Sequence, residues 1–140
     1  MTVETSALAT LRRFYEAETA YLAAAGNDFS PIAATLDPDC VIYQPNSLPY
    51  GGEWRGHAGF EAWMKAFAEQ WSYLEVKDAE FFSVGDVVFS KSHVYATARS
   101  TGAHIDWPLL QYFRIRKNRI LELRPFYWDT AALVPALAKS

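Results

Sequence analysis

The sequence predicts an α+β domain, with helices in its first half and an antiparallel run of strands in its second. Three observations predict it. Apolar side chains fall at helical spacing over about residues 5–25 and 57–71. Long runs rich in β-branched and aromatic residues fill most of 74–128, and the short breaks between them carry hairpin chemistry. Helices grouped ahead of a meander differ from the strand–helix alternation of a doubly wound sheet.

The first helix spans about 5–25, with Leu8, Leu11, Phe14, Tyr15, Glu18 and Leu22 in register and Gly26-Asn27 as its stop. Ser30-Pro31 starts a short second helix over about 31–36, with Ser as cap and Pro at the first helical position; Asp37-Pro38-Asp39 breaks it. A strand at 40–45 halts at Pro45, and 46–56, holding Pro49, Gly51 and Gly52, reads as a loop. Phe60, Trp63, Met64, Phe67 and Trp71 form one stripe of a third helix over 57–71. Strands follow at 74–83, 87–99, 107–116 and 119–128, separated by Gly85-Asp86, Ser100-Thr101-Gly102 and Lys117-Asn118. Asp129-Thr130 is placed to cap a last helix over 130–137, despite Pro135.

Length and composition narrow the class. The 140 residues suit one domain covering 1–140, and 51% apolar side chains with 5 Trp, 8 Tyr and 9 Phe give it a real core. A net charge of −3 argues against a general nucleic-acid binder. No apolar run approaches a membrane span, and the N-terminus lacks the basic and apolar regions of a secretory signal. Cys40 is alone, so no internal disulfide forms, and the expected home is cytoplasmic.

The element order resembles the nuclear-transport-factor-two-like superfamily, and within it the SnoaL-like group. Two local motifs carry the resemblance: Glu53-Trp54-Arg55-Gly56-His57-Ala58-Gly59-Phe60, entering the third helix, and Lys117-Asn118-Arg119-Ile120-Leu121-Glu122, with Asn where Gly is usual. The resemblance implies a cystatin-like fold, a strongly bent, mostly antiparallel mixed sheet wrapped round three N-terminal helices and enclosing a conical pocket. Ketosteroid isomerase, limonene epoxide hydrolase, scytalone dehydratase and polyketide cyclases share that fold with non-catalytic members, so fold alone does not decide function.

Strand alternation sorts the side chains. Val88, Ser90, Ser92, Val94, Ala96 and Ala98 form a small, mostly apolar inner set. Matching the epoxide hydrolase pattern turns Trp107, Leu109, Gln111 and Phe113 inward, then Leu121, Leu123, Pro125 and Tyr127. Ile42 and Gln44 point in from the first strand, Asn46 continues at the rim, and Tyr15, Glu18, Trp63 and Phe67 come from the helices. An apolar cone with a few directed hydrogen-bonding groups is what a small-molecule site looks like. The candidate ligand-binding residues are Gln44, Asn46, Trp63, Ser92, Trp107 and Gln111. The alternative is that each buried amide or hydroxyl is satisfied by a neighbour.

The relatives' chemistry transfers poorly. The isomerase base falls on Gln44 and its buried acid on Gln111, two amides that hold no proton to exchange at neutral pH. Its oxyanion-donating tyrosine falls on Phe14 or Tyr15. The epoxide hydrolase triad falls on Val94, Ser92 and Pro125. The cyclase aspartate has Asp129 as its nearest counterpart, which is either an N-cap or a proton-shuttling acid beside Tyr127. Asp129, Tyr15 and Tyr127 are therefore the candidate catalytic residues. Glu18 is the remaining buried-acid candidate, or else a partly exposed helix carboxylate near Arg12 or Arg13. Scattered His57, His93 and His104, with no metal-ligand spacing, nucleophile elbow or phosphate loop, suggest no metal and no cofactor.

Two readings follow. One is a proton-transfer enzyme of isomerase, cyclase or dehydratase type acting on a small hydrophobic ring compound. The other is a non-catalytic ligand-binding or dimerisation module. His93, Tyr95, Tyr112, Arg114, Arg124, Phe126 and Trp128 project from the outer sheet face, an interface composition. The expected partners are thus a small hydrophobic ligand and a second copy of the chain.

Overall fold

Backbone conformation at the turns fixes where the strands reverse. Lys117 and Asn118 both adopt left-handed conformations, φ 53° and 62°, the two-residue turn whose twist suits the strands it joins. In the computed structural model, which describes residues 3–24 and 28–137, the elements run α1 (Val3–Ala23), α2 (Ser30–Ala33), β1 (Leu36–Gln44), β2 (Gly52–Arg55), α3 (Gly56–Gln70), β3 (Trp71–Val84), β4 (Val87–Ala98), β5 (His104–Arg116), β6 (Arg119–Tyr127) and α4 (Thr130–Leu137). The strands form one sheet in the order β2-β1-β6-β5-β4-β3. β1 runs parallel to β6, and every other neighbouring pair is antiparallel. The α+β class and the mixed sheet are as the sequence predicts.

Several boundaries differ, each for a local reason. The expected loop at 46–56 contains β2, which pairs with β1 from Val41↔Arg55 to Gln44↔Gly52. Four half-exposed residues give too short a pattern to read. β1 starts at Leu36 rather than at 40, so Asp37-Pro38-Asp39 lies inside it, where the pairing with β6 is irregular between Leu36 and Val41. A proline is tolerated at such a break because no ladder bond needs its missing N–H. α2 correspondingly ends at Ala33, and Ser30 is its first residue, donating from N and Oγ to Asp28 Oδ1 at 3.0 and 2.6 Å. β3 follows α3 directly at Trp71. The Gly26-Asn27 stop lies outside the described residues.

The sheet presents its inner face to α1 and α3. On β4 the inner set is Val88, Ser90, Ser92, Val94, Ala96 and Ala98, all buried, and on β5 it is Trp107, Leu109, Gln111 and Phe113. Small side chains on β4 leave room for α1, whose Tyr15 reaches Ser90. Phe14 packs edge-on against both Phe60 of α3 and Phe113 of β5, tying the two helices to the sheet. In β6 the expected inward Leu121 is only half-buried, because a bulge opposite Ile115 turns Ile120 fully into the core instead.

Candidate functional site

The aromatic stripe of α3 and the inner residues of the strands meet in a narrow cone. Its cavity is bounded by Glu18 of α1, Trp63 and Phe67 of α3, Ile42 and Gln44 of β1, Trp107 and Gln111 of β5, and Tyr127 of β6, with aliphatic residues between. The cavity measures about 30 Å³. That is room for one or two water molecules. The oily hollow expected from strand alternation is thus largely filled: the rings of Trp63 and Phe67 lie 4.9 Å apart, and Trp107 stacks on Tyr127 at 5.9 Å.

Two hydrogen-bonded groups hold the polar side chains. In the first, Trp71 Nε1 donates to the Tyr50 hydroxyl at 3.1 Å, Tyr50 and Tyr127 hydroxyls meet at 3.1 Å, and Tyr127 donates to Gln44 Oε1 at 3.2 Å. The chain links the start of β3, the 45–51 segment, β6 and β1. In the second, the Tyr15 hydroxyl bonds Gln111 Oε1 and, at 2.9 Å, Ser90 Oγ. Both amides that replace the isomerase carboxylates therefore accept a hydrogen bond from a tyrosine. Of Phe14 and Tyr15, both buried, it is Tyr15 that presents a polar group to the sheet.

Of the two sequence readings of Glu18, the structure takes the buried one. It is only 7% exposed and lies on the same face of α1 as Tyr15, one turn further on. No hydrogen-bond partner reaches its carboxyl among the described residues. Burial alone pushes its pKa up to about 8, because a carboxylate is poorly solvated there. The same burial raises Tyr50 to about 12, and lifts Tyr15 and Tyr127 above their ordinary values, with Glu18 adding to each. Trp63 Nε1, Trp107 Nε1 and Ser92 Oγ are the side-chain polar atoms fully buried without a hydrogen-bond partner among the described residues.

Six of the sequence candidates are brought together at the cone or just behind it: Tyr15, Tyr127, Gln44, Gln111, Trp63 and Trp107. Ser92 is buried on the same sheet face. Asn46 is not among them: it is exposed in the turn closed by Leu48 N donating to Pro45 O at 3.1 Å. Asp129 is exposed too, and accepts a hydrogen bond from Ala131 N at 3.1 Å as the cap of α4. Its carboxylate stands outside the cavity, since the strand ends at Tyr127 and the chain turns away. Sequence reasoning missed Tyr50, an aromatic in a Pro/Gly-rich segment whose only signal was its size. Among the described residues, no group of three or more His, Cys, Asp and Glu side chains is placed to hold a metal ion, and no helix is long and apolar enough to cross a membrane.

A six-stranded mixed sheet curled over N-terminal helices around an aromatic cone defines the nuclear-transport-factor-two-like class. The chain belongs to the SnoaL-like domain family, which matches residues 11–123. Among solved structures it is similar to a protein of unknown function of that class from Burkholderia pseudomallei K96243, with 21% identity, 99% of each chain covered and a TM-score of 0.83. It is also similar to TerC co-crystallised with polyporic acid, with 17% identity, 94% and 98% coverage and a TM-score of 0.79. A candidate polyketide cyclase from Pseudomonas putida KT2440 shares 17% identity over 94% and 98% of the two chains, with a TM-score of 0.76. No curated protein sequence matches the chain.

Proposed function

We propose that the protein binds a small, largely apolar, ring-containing molecule in the cone and transfers a proton to or from it. The observation that carries this reading is Glu18: a carboxyl buried among aromatic rings, bounding a cavity, with no hydrogen-bond partner among the described residues. Buried polar groups are nearly always paired, and leaving one unpaired costs about 1–3 kcal/mol or more. A proton held at a pKa of about 8 is available to a ligand near neutral pH, which an ordinary glutamate's is not. Tyr127 bounds the cavity and would give its proton, now on Gln44 Oε1, to a ligand oxygen on which charge develops. That TerC, a protein of similar fold, was co-crystallised with polyporic acid supports a small-molecule ligand.

Binding at this site requires side chains to move, because about 30 Å³ holds no ring. The narrow cavity also favours a second reading, a non-catalytic module whose aromatic cone is mostly core. A melting screen with cyclic ketones, epoxides and polyketide mimics separates these. A ligand at a hundred times its Kd adds about 2.7 kcal/mol of stability. Stabilisation with turnover that is lost in Glu18→Gln and kept in Asp129→Asn supports the enzyme; stabilisation without turnover supports the module. A screen in which no compound raises the melting temperature contradicts the ligand site itself.

We further propose a homodimer formed through the outer sheet face, where Leu110, Phe126 and Trp128 are 43%, 55% and 79% exposed. Tyr95 adds to this face, as do Tyr112 with Arg114 hydrogen-bonded to it, Arg124 stacked over Tyr43, and the His93–Asp106 pair.

A further inference from the structure

A ring cannot enter a cavity of about 30 Å³ until part of its wall gives way; a cavity of about 150 Å³ is the size that takes benzene. The walls differ in what holds them. α1 is tied to the sheet by Tyr15 on Ser90 and Gln111, and by Thr19 Oγ1 on Leu74 O at 2.9 Å. α3 runs straight into β3, and Arg99 Nε donates to Ala68 O at 2.7 Å beside that junction. The strands are held by their ladders. α4 is held differently.

α4 crosses the end of the cone as a strap. It leaves β6 just past Tyr127, and the β4–β5 hairpin meets its last turn, where Thr101 Oγ1 and Ser100 Oγ donate to Ala136 O and Leu137 O at 3.1 and 3.5 Å. Tyr127 pairs with Leu109, and the hairpin leads into His104, so the start of β5 lies between the two attachments. On the outer side there, His104 and Asp106 are exposed; on the inner side, Trp107 is buried in one core with Leu133 and Leu137 of α4. The helix therefore covers the inner side, over the ring row that Trp107 forms with Trp71 at 5.4 Å and Tyr127 at 5.9 Å. Trp107 and Tyr127 are themselves walls of the cavity.

Little keeps this strap in place. Leu133 and Leu137 are buried, whereas Ala131, Ala132, Val134 and Pro135 are exposed. An eight-residue helix is marginal in water, and Pro135 removes one of its few backbone bonds. Its side-chain hydrogen bonds lie at its two ends, from the Asp129 cap and the two hairpin hydroxyls. Undocking α4 gives up two leucine contacts and hydrogen bonds that water replaces. Moving α1, α3 or a strand breaks buried hydrogen bonds or a ladder instead.

We propose that α4 is the gate of the cone: it undocks as a unit, uncovers the Trp71–Trp107–Tyr127 row, and closes again over the bound ring compound. The proposal rests on the reading of the cone as a ligand site. A gate that shuts over both the empty and the filled cone stabilises both states equally. Loosening it speeds entry and exit alike and leaves the Kd unchanged. A wall that touched the ligand would change the Kd when cut back.

The test is stopped-flow mixing of the full chain with 2-tetralone, followed by tryptophan fluorescence. In Leu133→Ala the apparent association and dissociation rate constants should both rise, about thirtyfold or more, with the Kd unchanged. Thr101→Cys with Ala136→Cys, oxidised to tie the strap down, should lower both by at least about tenfold, reversed by dithiothreitol. Cys40 is buried and stays out of that exchange. Without ligand, the Trp107 indole N–H is protected by burial alone, and should exchange with solvent at the rate of the α4 amides, far ahead of β4 and β5. Rates of 2-tetralone binding that are the same in all three proteins, or a Trp107 indole that exchanges only with the sheet, overturn the gate and leave the ligand site standing. Failure of 2-tetralone to bind any of them overturns the ligand site, and the gate with it.

Discussion

Replacing Glu18 with glutamine should stabilise the protein, and the gain should grow with pH. The unfolded chain loses this proton near pH 4.5, whereas the folded protein keeps it to about pH 8. Between those values the folded state binds more protons, so its stability falls as pH rises. The contribution is complete below about pH 4.5 and lost above about pH 8. At 1.36 kcal/mol per unit the whole loss is about 5 kcal/mol, of which about 3 kcal/mol has gone by pH 7. Glutamine has nearly the same shape and does not titrate. Asp37, whose carboxyl Arg116 holds below the ordinary range, is common to both proteins and cancels in the difference. Urea unfolding of both proteins in half-unit steps from pH 5 to 8.5 reads that difference directly. A widening gap of several kcal/mol is expected, comparable to the 5–15 kcal/mol that holds a typical domain together. A gap that stays constant across the range would refute the burial of Glu18 and the proton chemistry built on it.

Three further outcomes follow from the same geometry. Tyr15→Phe leaves Gln111 Oε1 and Ser90 Oγ without their phenol, and should cost about 1–3 kcal/mol in urea unfolding. Asp129→Ala removes the α4 cap for about 0.5–2 kcal/mol of stability, with ligand binding and turnover unchanged. Light scattering at micromolar concentration should find a dimer, and Phe126→Lys with Leu110→Lys should give a monomer of unaltered circular dichroism; a monomeric unmodified protein would remove the outer face as an interface.

Much of the fold was legible because period and punctuation agreed. The α3 stripe from Phe60 to Phe67 is buried as its spacing implies, and the β4 inner set is buried without exception. Where the signals conflicted, pairing prevailed. Asp37-Pro38-Asp39 reads locally as a breaker, yet β1 passes through it by breaking register with β6. β2 has four residues and no buried face, so only its partner reveals it. The candidate site was legible by parity: knowing that Ser90 and Ser92 face the helices places Gln111 and Trp107 beside them. Glu18 was weighed as the more exposed of its two readings because charge outweighed position. Glu18 sits between Tyr15 and Leu22 on a buried stripe, and its place there argued for burial more strongly than its residue type argued against. Asp129 erred the other way: nearness to Tyr127 in sequence counts for little once the strand has ended and a cap is needed. The filling of the cone by Trp63, Phe67 and Trp107 depends on how rings interlock in three dimensions, which no spacing rule reaches.

The most direct measurement is the indole N–H spectrum of the five tryptophans as a cyclic ketone is added. Trp54 and Trp71 donate within the protein, to Tyr50 O and the Tyr50 hydroxyl, Trp128 is exposed, and Trp63 and Trp107 have no acceptor among the described residues. A ligand seated in the cone should move the Trp63 and Trp107 signals, saturably, and leave Trp128 where it was. Movement confined to Trp128, or none at any concentration that keeps the ketone soluble, would mean that the cone is core and the ligand site is elsewhere.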